Sequence, residues 1–494
     1  MKKIILVILF SLLFSACASQ TELISTGMSE NKVELISSID SVFSDDMFSH
    51  AFWGAKVVTA ADGEVLYQRN ADKLFMPASN EKIITTSAAL RILGPEFRFL
   101  SKMDYSGKIE NGILTGDLIL YSNGDPTLYT RFFDSPLHLF KIYANALSEL
   151  GIRRINGNIV GDDTAFEDEH LGYGWAYDGL PYWYSAPYGA LQVNENYVDI
   201  IVTPGKNAGD PVTLFPNVNS DYFNYINNIT TVDSVYHPFN YNKSQCNNEI
   251  LFSGELKAGS RSFEISPTVN DPTLFYLSLF RETLLEHGIS LEGGMFDIRE
   301  YDLYEPRKNL VLYESPALRE IASGLMKRSQ NLYAETFARV TAWYRTGLGN
   351  MRTARNIVYD NLAEFGLEKG SYRFMDGSGL SRYNYVSPNH LVKILKGMYD
   401  SELKDIWLDI QPIAGVDGTL RRRMKNTSAE GNVRAKTGTI SNVRGLSGYV
   451  TDKDGNDYIF SFLVNAHLRS SRDTEIITDK VCELLADFSE NGKK

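Results

Sequence analysis

A short uncharged run near the start of the chain constrains its fold more than any other feature. Residues Ile83 to Leu90 carry no charge, and Pro77 stands just before them, where the first turn of a helix tolerates a missing N–H. The run therefore predicts the beginning of a buried helix. Side chains three positions apart share one face of a helix, so Ser79 and Lys82 are expected to point the same way. Such a pair can make a serine nucleophilic, because burial lowers the pKa of an amine.

Strands are predicted on both sides of the helical middle of the chain. Gly54 to Ala60 and Glu64 to Gln68 predict a β-hairpin ahead of the buried helix. Three more strands are predicted near the C-terminus, over Arg434 to Thr439, Arg444 to Thr451 and Tyr458 to Val464. A closing helix from about Arg472 to Phe488 follows them. This order favours an α+β fold, in which an antiparallel sheet assembled from both termini packs against helices.

A β-rich region interrupts this pattern. Its 494 residues make the chain too long for one ordinary domain. Residues 99–267 hold many short β-like runs and turn-rich stretches such as Pro204 to Asp210. We expect residues 34–98 and 268–490 to form the main domain, with residues 99–267 inserted as one or two lobes. Helical spacing returns with Asp271 to His287 and again from Leu318 to Tyr344.

The N-terminus has the pattern of an export signal. Met1-Lys2-Lys3 precedes an apolar run from Ile4 to Phe14, which is too short to span a bilayer. The run leads to Cys17 in a sequence that resembles the bacterial lipobox, although Phe14 stands where leucine is usual, and ordinary cleavage is the alternative. We expect residues 1–16 to be a signal peptide and residues 17–33 to be a tether lipidated at Cys17. The mature protein would be exported and attached to a membrane by lipid.

Charge and cysteine content exclude several classes of function. The net charge of −12 becomes −14 when the two signal lysines are removed, and this argues against nucleic acid as a partner. Cys246 and Cys482 do not make a disulfide framework, and we expect two free thiols with Cys482 buried in a helix. No His or Cys falls at metal-ligand spacing, so no cofactor is expected. The absence of a G-x-S-x-G elbow disfavours a Ser-His-Asp hydrolase.

Two further motifs accompany the Ser79 and Lys82 pair. Ser329-Gln330-Asn331 falls within the second helical region, and Lys436-Thr437-Gly438-Thr439 falls on a predicted strand. A side chain at Gly438 would block a substrate laid beside that strand. Each motif alone has an ordinary explanation, such as a helix cap or a strand leaving a turn. Together, S-x-x-K, S-x-N and K-T-G in this order form the set found in penicillin-binding proteins and serine β-lactamases.

Other stretches make the resemblance more specific. They are Gly124 to Leu128, Lys327 to Glu335, Asp376 to Arg382 and Gly415 to Leu420. With the three motifs, they resemble the penicillin-binding protein 4 type of D-alanyl-D-alanine carboxypeptidase, the S13 peptidase family, over nearly the whole mature chain. Ser79 and Ser329 are separated by 250 residues. Compact β-lactamases have far fewer residues between these motifs, whereas the resemblance implies inserted domains in this interval.

The resemblance implies a β-lactamase-like transpeptidase fold and a serine DD-peptidase. Such an enzyme hydrolyses the terminal D-Ala-D-Ala bond of peptidoglycan stem peptides, with DD-endopeptidase activity on cross-links as a further expectation. Ser79 would form the acyl-enzyme, and Lys82 would be the base, its pKa lowered by burial and by Lys436. Ser329 would relay a proton, and Asn331 would hold Lys82 and the substrate amide.

The same resemblance assigns the substrate-binding strand. Lys436, Thr437 and Thr439, with Gly438 between them, would bind the terminal carboxylate of the substrate. The backbone N–H groups of Ser79 and Thr439 would form the oxyanion hole. β-Lactams are expected as covalent inhibitors. Two alternatives use the same sequence: a β-lactamase or esterase with these residues, and a cell-wall-binding lipoprotein without catalysis.

Two groups of residues are assigned structural roles. The glycine-containing stretches Asp376 to Arg382 and Asp417 to Leu420 suit tight turns that shape a cleft. The aromatic stretch from Tyr173 to Tyr188 is expected to pack the inserted region, because aromatic side chains are mostly buried. Stacking on glycan sugars is the alternative for that stretch.

Overall fold

A computed structural model describes residues 29–492 of the chain, so the predicted signal peptide and Cys17 lie outside the described residues. Within these residues the α-helices are α1 (Glu30–Phe43), α2 (Glu81–Leu93), α3 (His138–Glu149), α4 (Pro272–Glu286), α5 (Leu318–Arg328), α6 (Asn331–Thr346), α7 (Met351–Leu362), α8 (Pro388–Tyr399), α9 (Lys404–Asp409) and α10 (Ser471–Asp487). The strands are β1 (Phe52–Thr59), β2 (Val65–Arg69), β3 (Leu100–Tyr105), β4 (Lys108–Glu110), β5 (Ile113–Thr115), β6 (Leu118–Ser122), β7 (Arg154–Asn156), β8 (Ile159–Asp162), β9 (Ile200–Thr203), β10 (Thr213–Pro216), β11 (Asn224–Val232), β12 (Asn240–Lys243), β13 (Glu249–Lys257), β14 (Phe263–Ile265), β15 (Ser290–Leu291), β16 (Met295–Asp297), β17 (Lys308–Glu314), β18 (Arg434–Ile440), β19 (Val443–Thr451) and β20 (Asp457–Asn465).

The main sheet has the strand order β18-β19-β20-β1-β2, and all its neighbours are antiparallel. β1 and β2 form the predicted hairpin. β20 pairs with β1 along its whole length, from Asn465 opposite Phe52 to Tyr458 opposite Thr59. The hairpin is thereby joined to the C-terminal strands, and the predicted sheet assembled from both termini is confirmed.

Helices cover both faces of the main sheet. Alternate residues of β1 enter different cores, because successive side chains of a strand point to opposite faces. Trp53, Ala55 and Val57 pack with α1 and α10, whereas Val58 belongs to the core of α2, α5, α6, α7 and α8. Burial of both faces explains why β20 is apolar from Tyr458 to Val464 except at Ser461.

The chain between α2 and α5 forms a β-rich region. Its four smaller sheets have the orders β10-β9-β14, β11-β13-β12, β15-β7-β5-β4 and β16-β8-β6-β3-β17. They share one apolar core with α3 and α4. Because β15, β16 and β17 pair with β7, β8 and β3, the region runs from residue 100 to residue 314. Helix α4 and strands β15 to β17 follow the expected insertion of residues 99–267 in the chain. The division into domains stays a prediction.

The helical region expected from Leu318 to Tyr344 is interrupted in the structure. α5 ends at Arg328, and Ser329 has a left-handed backbone with a φ of 62°. Gln330 is extended, and α6 begins at Asn331. The apolar pattern did not reveal the break, because α5 and α6 bury residues in the same core.

Two smaller expectations concern membranes and thiols. No helix within residues 29–492 combines the length and the apolar character that a bilayer crossing requires. Cys246 is exposed, Cys482 is buried in α10, and both are free thiols. The prediction of two unpaired cysteines is confirmed.

Candidate active site

Ser79 lies in a tight turn at the start of α2. A short 3-10 helix, Ala78–Asn80, precedes α2, and Ala78 has a left-handed φ of 47°. Gly379 presses against this turn, since a Cβ there would collide with the carbonyl oxygen of Ala78. Lys82 Nζ lies 2.9 Å from Ser79 Oγ. The structure therefore brings together the two side chains that the sequence placed on one helix face.

Lys82 is fully buried, and its amine has three hydrogen-bond partners. Besides Ser79, they are Asn331 Oδ1 at 2.6 Å and the carbonyl oxygen of Ser378 at 2.6 Å. Asn331 is itself held, because its Nδ2 donates to the carbonyl of Tyr184 at 2.6 Å. A neutral amine can donate to the two carbonyl-type oxygens and accept from the Ser79 hydroxyl through its lone pair. A general base needs this arrangement.

Lys436 and Ser329 form a second polar pair in the cleft. Lys436 is fully buried, and its Nζ donates to Ser329 Oγ at 2.8 Å and to the carbonyl of Thr437 at 2.8 Å. The break between α5 and α6 allows Ser329 to contact Lys436 while Asn331 contacts Lys82. All three sequence motifs thus meet around one cleft.

Gly438 lies against the start of α2, which gives a structural reason for a glycine at this position. A Cβ at this position would lie 2.5 Å from the side-chain amide of Asn80 and 2.6 Å from the carbonyl oxygen of Pro77. Gly445, which is opposite Gly438 on β19, faces the same amide. In the amide orientation that satisfies both ends, Asn80 donates to Ser447 Oγ at 3.0 Å and accepts from Gly438 N–H at 3.2 Å. The glycine therefore allows the start of α2 to pack closely on the sheet, and its role beside a bound substrate stays a prediction.

A cleft with a volume of about 680 Å³ lies where the three motifs meet, and we call this candidate active site the catalytic cleft. Thr437 and Thr439 of β18 line it, and Thr437 Oγ1 lies 2.8 Å from Thr419 Oγ1. The lining also includes Ser79, Ser329, Asn331, Leu380, Arg382 and Arg444. Both glycine-containing stretches therefore reach the cleft, as expected, and Asp376 to Arg382 also supplies the Ser378 carbonyl that contacts Lys82.

Burial lowers the pKa of both amines. The pKa of Lys82 falls to about 7, because burial disfavours the ammonium form. The carboxyl groups of Asp376, Glu335 and Glu81 act against burial, since each raises the pKa of Lys82 when it is ionised. The pKa of Lys436 is held well below its ordinary value, first by burial and second by the proximity of Lys82. Repulsion between the two ammonium groups disfavours the charged form of either lysine while the other is charged.

The three carboxyl groups form an acidic layer beside Lys82 that no sequence motif predicted. Glu335 accepts from the backbone N–H of Ser378 at 2.9 Å and from Arg339 at 2.9 Å. Glu81 is fully buried without a hydrogen-bond partner among the described residues, and burial raises its pKa well above the ordinary value. Within residues 29–492, no group of three His, Cys, Asp or Glu side chains is placed to hold a metal ion.

A buried network ties the break between α5 and α6 to the inserted region. Gln330 donates its side-chain N–H to Glu195. The fully buried Glu195 carboxylate also accepts from Arg131, Tyr197 and Tyr333. Its backbone has a left-handed φ of 51°. Sequence reasoning missed this network, because its members come from separate segments and follow no local pattern.

The aromatic stretch from Tyr173 to Tyr188 is divided between core and surface. Tyr188 is buried in the core of α2, α5 and α6, and Tyr182 packs against the core of the inserted region. Tyr177 is 76 % exposed, and Trp183, which is 40 % exposed, lines the catalytic cleft. The expectation that this stretch packs the inserted region was wrong for these exposed members.

Comparisons with known proteins agree with this architecture. The profile of the D-Ala-D-Ala carboxypeptidase 3 (S13) family matches residues 35–487. The chain is 30 % identical over 468 residues to a D-alanyl-D-alanine carboxypeptidase of Actinomadura sp. strain R39. The aligned region covers 92 % of this chain and 85 % of that protein. It is 28 % identical over 418 residues to the D-alanyl-D-alanine carboxypeptidase DacB of Haemophilus influenzae, with 82 % and 83 % covered.

A solved structure shares the fold. The crystal structure of penicillin binding protein 4 from Haemophilus influenzae matches with a TM-score of 0.79 at 24 % identity, covering 90 % of this chain and 97 % of that chain. The predicted α+β fold, an antiparallel sheet with packed helices and a β-rich insertion, is confirmed.

Proposed function

Because this chain belongs to the D-Ala-D-Ala carboxypeptidase 3 (S13) family, we propose that it hydrolyses the terminal D-Ala-D-Ala bond of peptidoglycan stem peptides through an acyl-enzyme on Ser79. Family membership makes it a serine-type carboxypeptidase. One observation supports the proposed residues above all others: the buried Lys82 amine lies 2.9 Å from Ser79 Oγ.

In the first step, Ser79 Oγ attacks the carbonyl carbon of the scissile bond while Lys82 takes the hydroxyl proton. A pKa of about 7 leaves a large fraction of Lys82 as the free amine near neutral pH. The backbone N–H groups of Ser79 and Thr439 stabilise the negative charge that develops on the carbonyl oxygen.

Departure of D-alanine requires a proton on its nitrogen. The Ser329 hydroxyl gives a proton to the leaving nitrogen and regains one that came from Ser79 by way of Lys82. Asn331 holds Lys82 and the substrate amide in place during this exchange. Water then hydrolyses the ester on Ser79 and restores the free enzyme.

The Lys436 strand binds the terminal carboxylate of the substrate. Thr437 and Thr439 line the cleft as hydroxyl donors, and the Lys436 amine donates to the carbonyl of Thr437. A carboxylate in a site closed to water is costly unless it is paired with such donors. This requirement explains why a lysine and two threonines occur at one end of the cleft.

Covalent trapping by penicillin tests the nucleophile. Intact-mass analysis of the wild type is expected to show one penicillin adduct, and Ser79→Ala is expected to show none. A wild type without an adduct, or an adduct that survives Ser79→Ala, would contradict the proposal. Fast turnover of the drug without D-alanine release would instead favour a β-lactamase or esterase.

Digestion of purified muropeptides tests the reaction. Wild type is expected to release D-alanine from pentapeptides and, as an endopeptidase, to cleave cross-linked dimers, and Ser79→Ala is expected to do neither. Binding to sacculi that persists in Ser79→Ala, together with no D-alanine release by wild type, would identify a cell-wall-binding protein without catalysis.

We also propose export and lipid attachment at Cys17, on the basis of the N-terminal sequence. Labelled palmitate supplied to a bacterial host that produces the protein is expected to enter the wild type. Cys17→Ser is expected to remove the label, and labelling that persists would exclude this attachment site.

A further inference from the structure

A basic pocket adjoins the catalytic cleft near β18. We call it the arginine pocket; its volume is about 560 Å³, and it is lined by Lys327, Arg328, Asp417, Thr419, Arg421 and Arg422. Arg328 and Thr419 also line the catalytic cleft. The two cavities therefore share a wall, and a ligand that fills the cleft can extend into the pocket.

Three arginines leave the pocket with uncompensated positive charge. Lys327 and Asp417 neutralise each other, with 2.5 Å between Nζ and Oδ2. Arg328, Arg421 and Arg422 are exposed, and their side chains form no ion pair or hydrogen bond within residues 29–492. Like charges repel, so three free guanidinium groups on an acidic chain indicate a surface that meets an anion.

The pocket is a fixed part of the fold. Arg423 follows the two free arginines, but it is buried and donates to Asp479 at 3.0 Å and to Thr478 at 2.9 Å in α10. On the other side, a Cβ at Gly418 would lie 2.7 Å from the carbonyl oxygen of Lys327. This segment is therefore held between α10 and the end of α5 and presents Arg421 and Arg422 to solvent.

The position of the pocket relates it to the leaving group. Under the proposed function, Thr437 binds the carboxylate of the residue that departs, and Thr437 Oγ1 lies 2.8 Å from Thr419 Oγ1. The arginine pocket thus begins beyond that carboxylate. When the leaving group is D-alanine, that carboxylate is its last group. The leaving group of a cross-linked substrate instead carries a second stem peptide with carboxylates of its own.

We propose that the arginine pocket binds the carboxylates of the second stem peptide and makes cross-linked dimers specific substrates. The planar guanidinium fork matches a carboxylate with two parallel hydrogen bonds. Continuity with the cleft favours a stem peptide over a separate anionic polymer. The inference rests on the proposed DD-peptidase function, and it assigns the pocket to endopeptidase specificity.

A comparison of two substrates, cross-linked dimers and pentapeptides, tests this assignment in the double variant Arg421→Gln/Arg422→Gln. Its kcat/KM for cross-linked dimers is expected to fall about tenfold, while D-alanine release from pentapeptides and penicillin acylation stay at wild-type rates. The matched control is Lys206→Gln/Lys425→Gln, which removes the same charge from exposed positions outside both cavities. This control is expected to cleave both substrates like wild type.

Synthetic dimers identify the recognised group. Converting the carboxylates of the second stem to amides, with the carboxylate beside the scissile bond unchanged, is expected to slow wild type and to leave the double variant unaffected. The inference would be overturned if the double variant lost kcat/KM equally on dimers and pentapeptides, or lost none on dimers. A control variant that lost as much kcat/KM on dimers would also overturn it. So would arginine-dependent binding of poly(glycerol phosphate) without an effect on dimers.

The two proposals fail in different ways. Wild type that acylates and releases D-alanine but leaves dimers intact would overturn the inference about the pocket and retain the carboxypeptidase. Wild type that forms no acyl-enzyme and releases no D-alanine would overturn the proposed function itself.

Discussion

The surroundings of Lys82 differ from those of Lys436, although both amines are buried beside one cleft. Lys82 has three hydrogen-bond partners and three nearby carboxyl groups, each of which raises its pKa when ionised. Lys436 has two partners, and among the described residues no carboxyl group raises its pKa. Burial acts on both, but acidic side chains oppose it only at Lys82.

This difference separates the work of the two lysines. Lys82, with a pKa of about 7, changes its charge readily near neutral pH and suits proton transfer. Lys436 lacks a counter-charge in the protein, so a bound carboxylate would supply one and favour the ammonium form. The strand lysine therefore suits binding of the substrate terminus, and the helix lysine suits the chemistry.

Loss of the Lys82 amine is expected to have the largest effect. Lys82→Met keeps the apolar stem but removes the base, so acylation by penicillin should slow about a thousandfold. Stopped-flow measurement with a reporter β-lactam gives the rate. A variant that acylates within about tenfold of wild type would show that another group takes the proton.

Lys243 provides a matched control for this substitution. It is a buried lysine of the inserted region, its pKa is also lowered to about 7 by burial, and its Nζ donates to the carbonyl of Val269 at 2.7 Å. Lys243→Met is expected to acylate at the wild-type rate. A similar loss in both variants would attribute the effect to a disturbed fold rather than to the missing base.

The segment from Ser329 to Asn331, which contacts both lysines, depends on the buried hydrogen bonds of Glu195. Gln330 stands between Ser329, which contacts Lys436, and Asn331, which contacts Lys82. In Glu195→Gln, the new amide N–H group faces hydrogen-bond donors and cannot accept from them. The substitution also removes the buried negative charge that pairs with Arg131. We expect unfolding free energy to fall by about 3 kcal/mol or more.

Urea unfolding and acylation rates measure this effect together. Acylation should slow as well, because the segment that holds both polar pairs loses its tie to the inserted region. Glu110→Gln, an exposed carboxylate on β4, is the control and should unfold like wild type. Equal stability of Glu195→Gln and wild type would show that the network does not support this segment.

Much of the main domain was predictable from local patterns. The last predicted strand, Tyr458 to Val464, differs by one residue at each end from Asp457–Asn465, because a buried apolar run marks a central strand. The three motifs were predictable because their residue types recur together in one chemistry. The break at Ser329 was not, since the apolar period continues across it into α6.

The electrostatic part of the site was beyond sequence reasoning. The pKa of an amine depends on how deeply it is buried and on which carboxyl groups surround it, and Glu335 and Asp376 reach Lys82 only through the fold. The same holds for Gly438, whose neighbour is Asn80 on another element. Local spacing identified the reacting groups, and long-range packing decides their charge.

The pH dependence of acylation tests the charge assigned to Lys82. Below its pKa Lys82 is an ammonium and cannot accept a proton, so the acylation rate should rise with pH and level off above a midpoint of about 7. Asn331→Asp places a carboxylate on the amine and should raise that midpoint by about one unit or more. Asn219→Asp, an exposed change in the inserted region, should leave it in place. An unchanged midpoint in Asn331→Asp would assign the titration to another group.

Glu81 should give the smallest effect and yet separate two states of the acidic layer. Burial without a hydrogen-bond partner raises the pKa of Glu81 well above the ordinary value and therefore favours the neutral carboxyl. Glu81→Gln then replaces one neutral group by another, and the acylation midpoint should move by less than about 0.3 units. An ionised Glu81 raises the pKa of Lys82, and its loss would lower the midpoint. A lowered midpoint in Glu81→Gln would therefore show that Glu81 is ionised and raises the pKa of Lys82. An unchanged midpoint would leave Asp376 and Glu335 as the carboxyl groups that oppose the effect of burial.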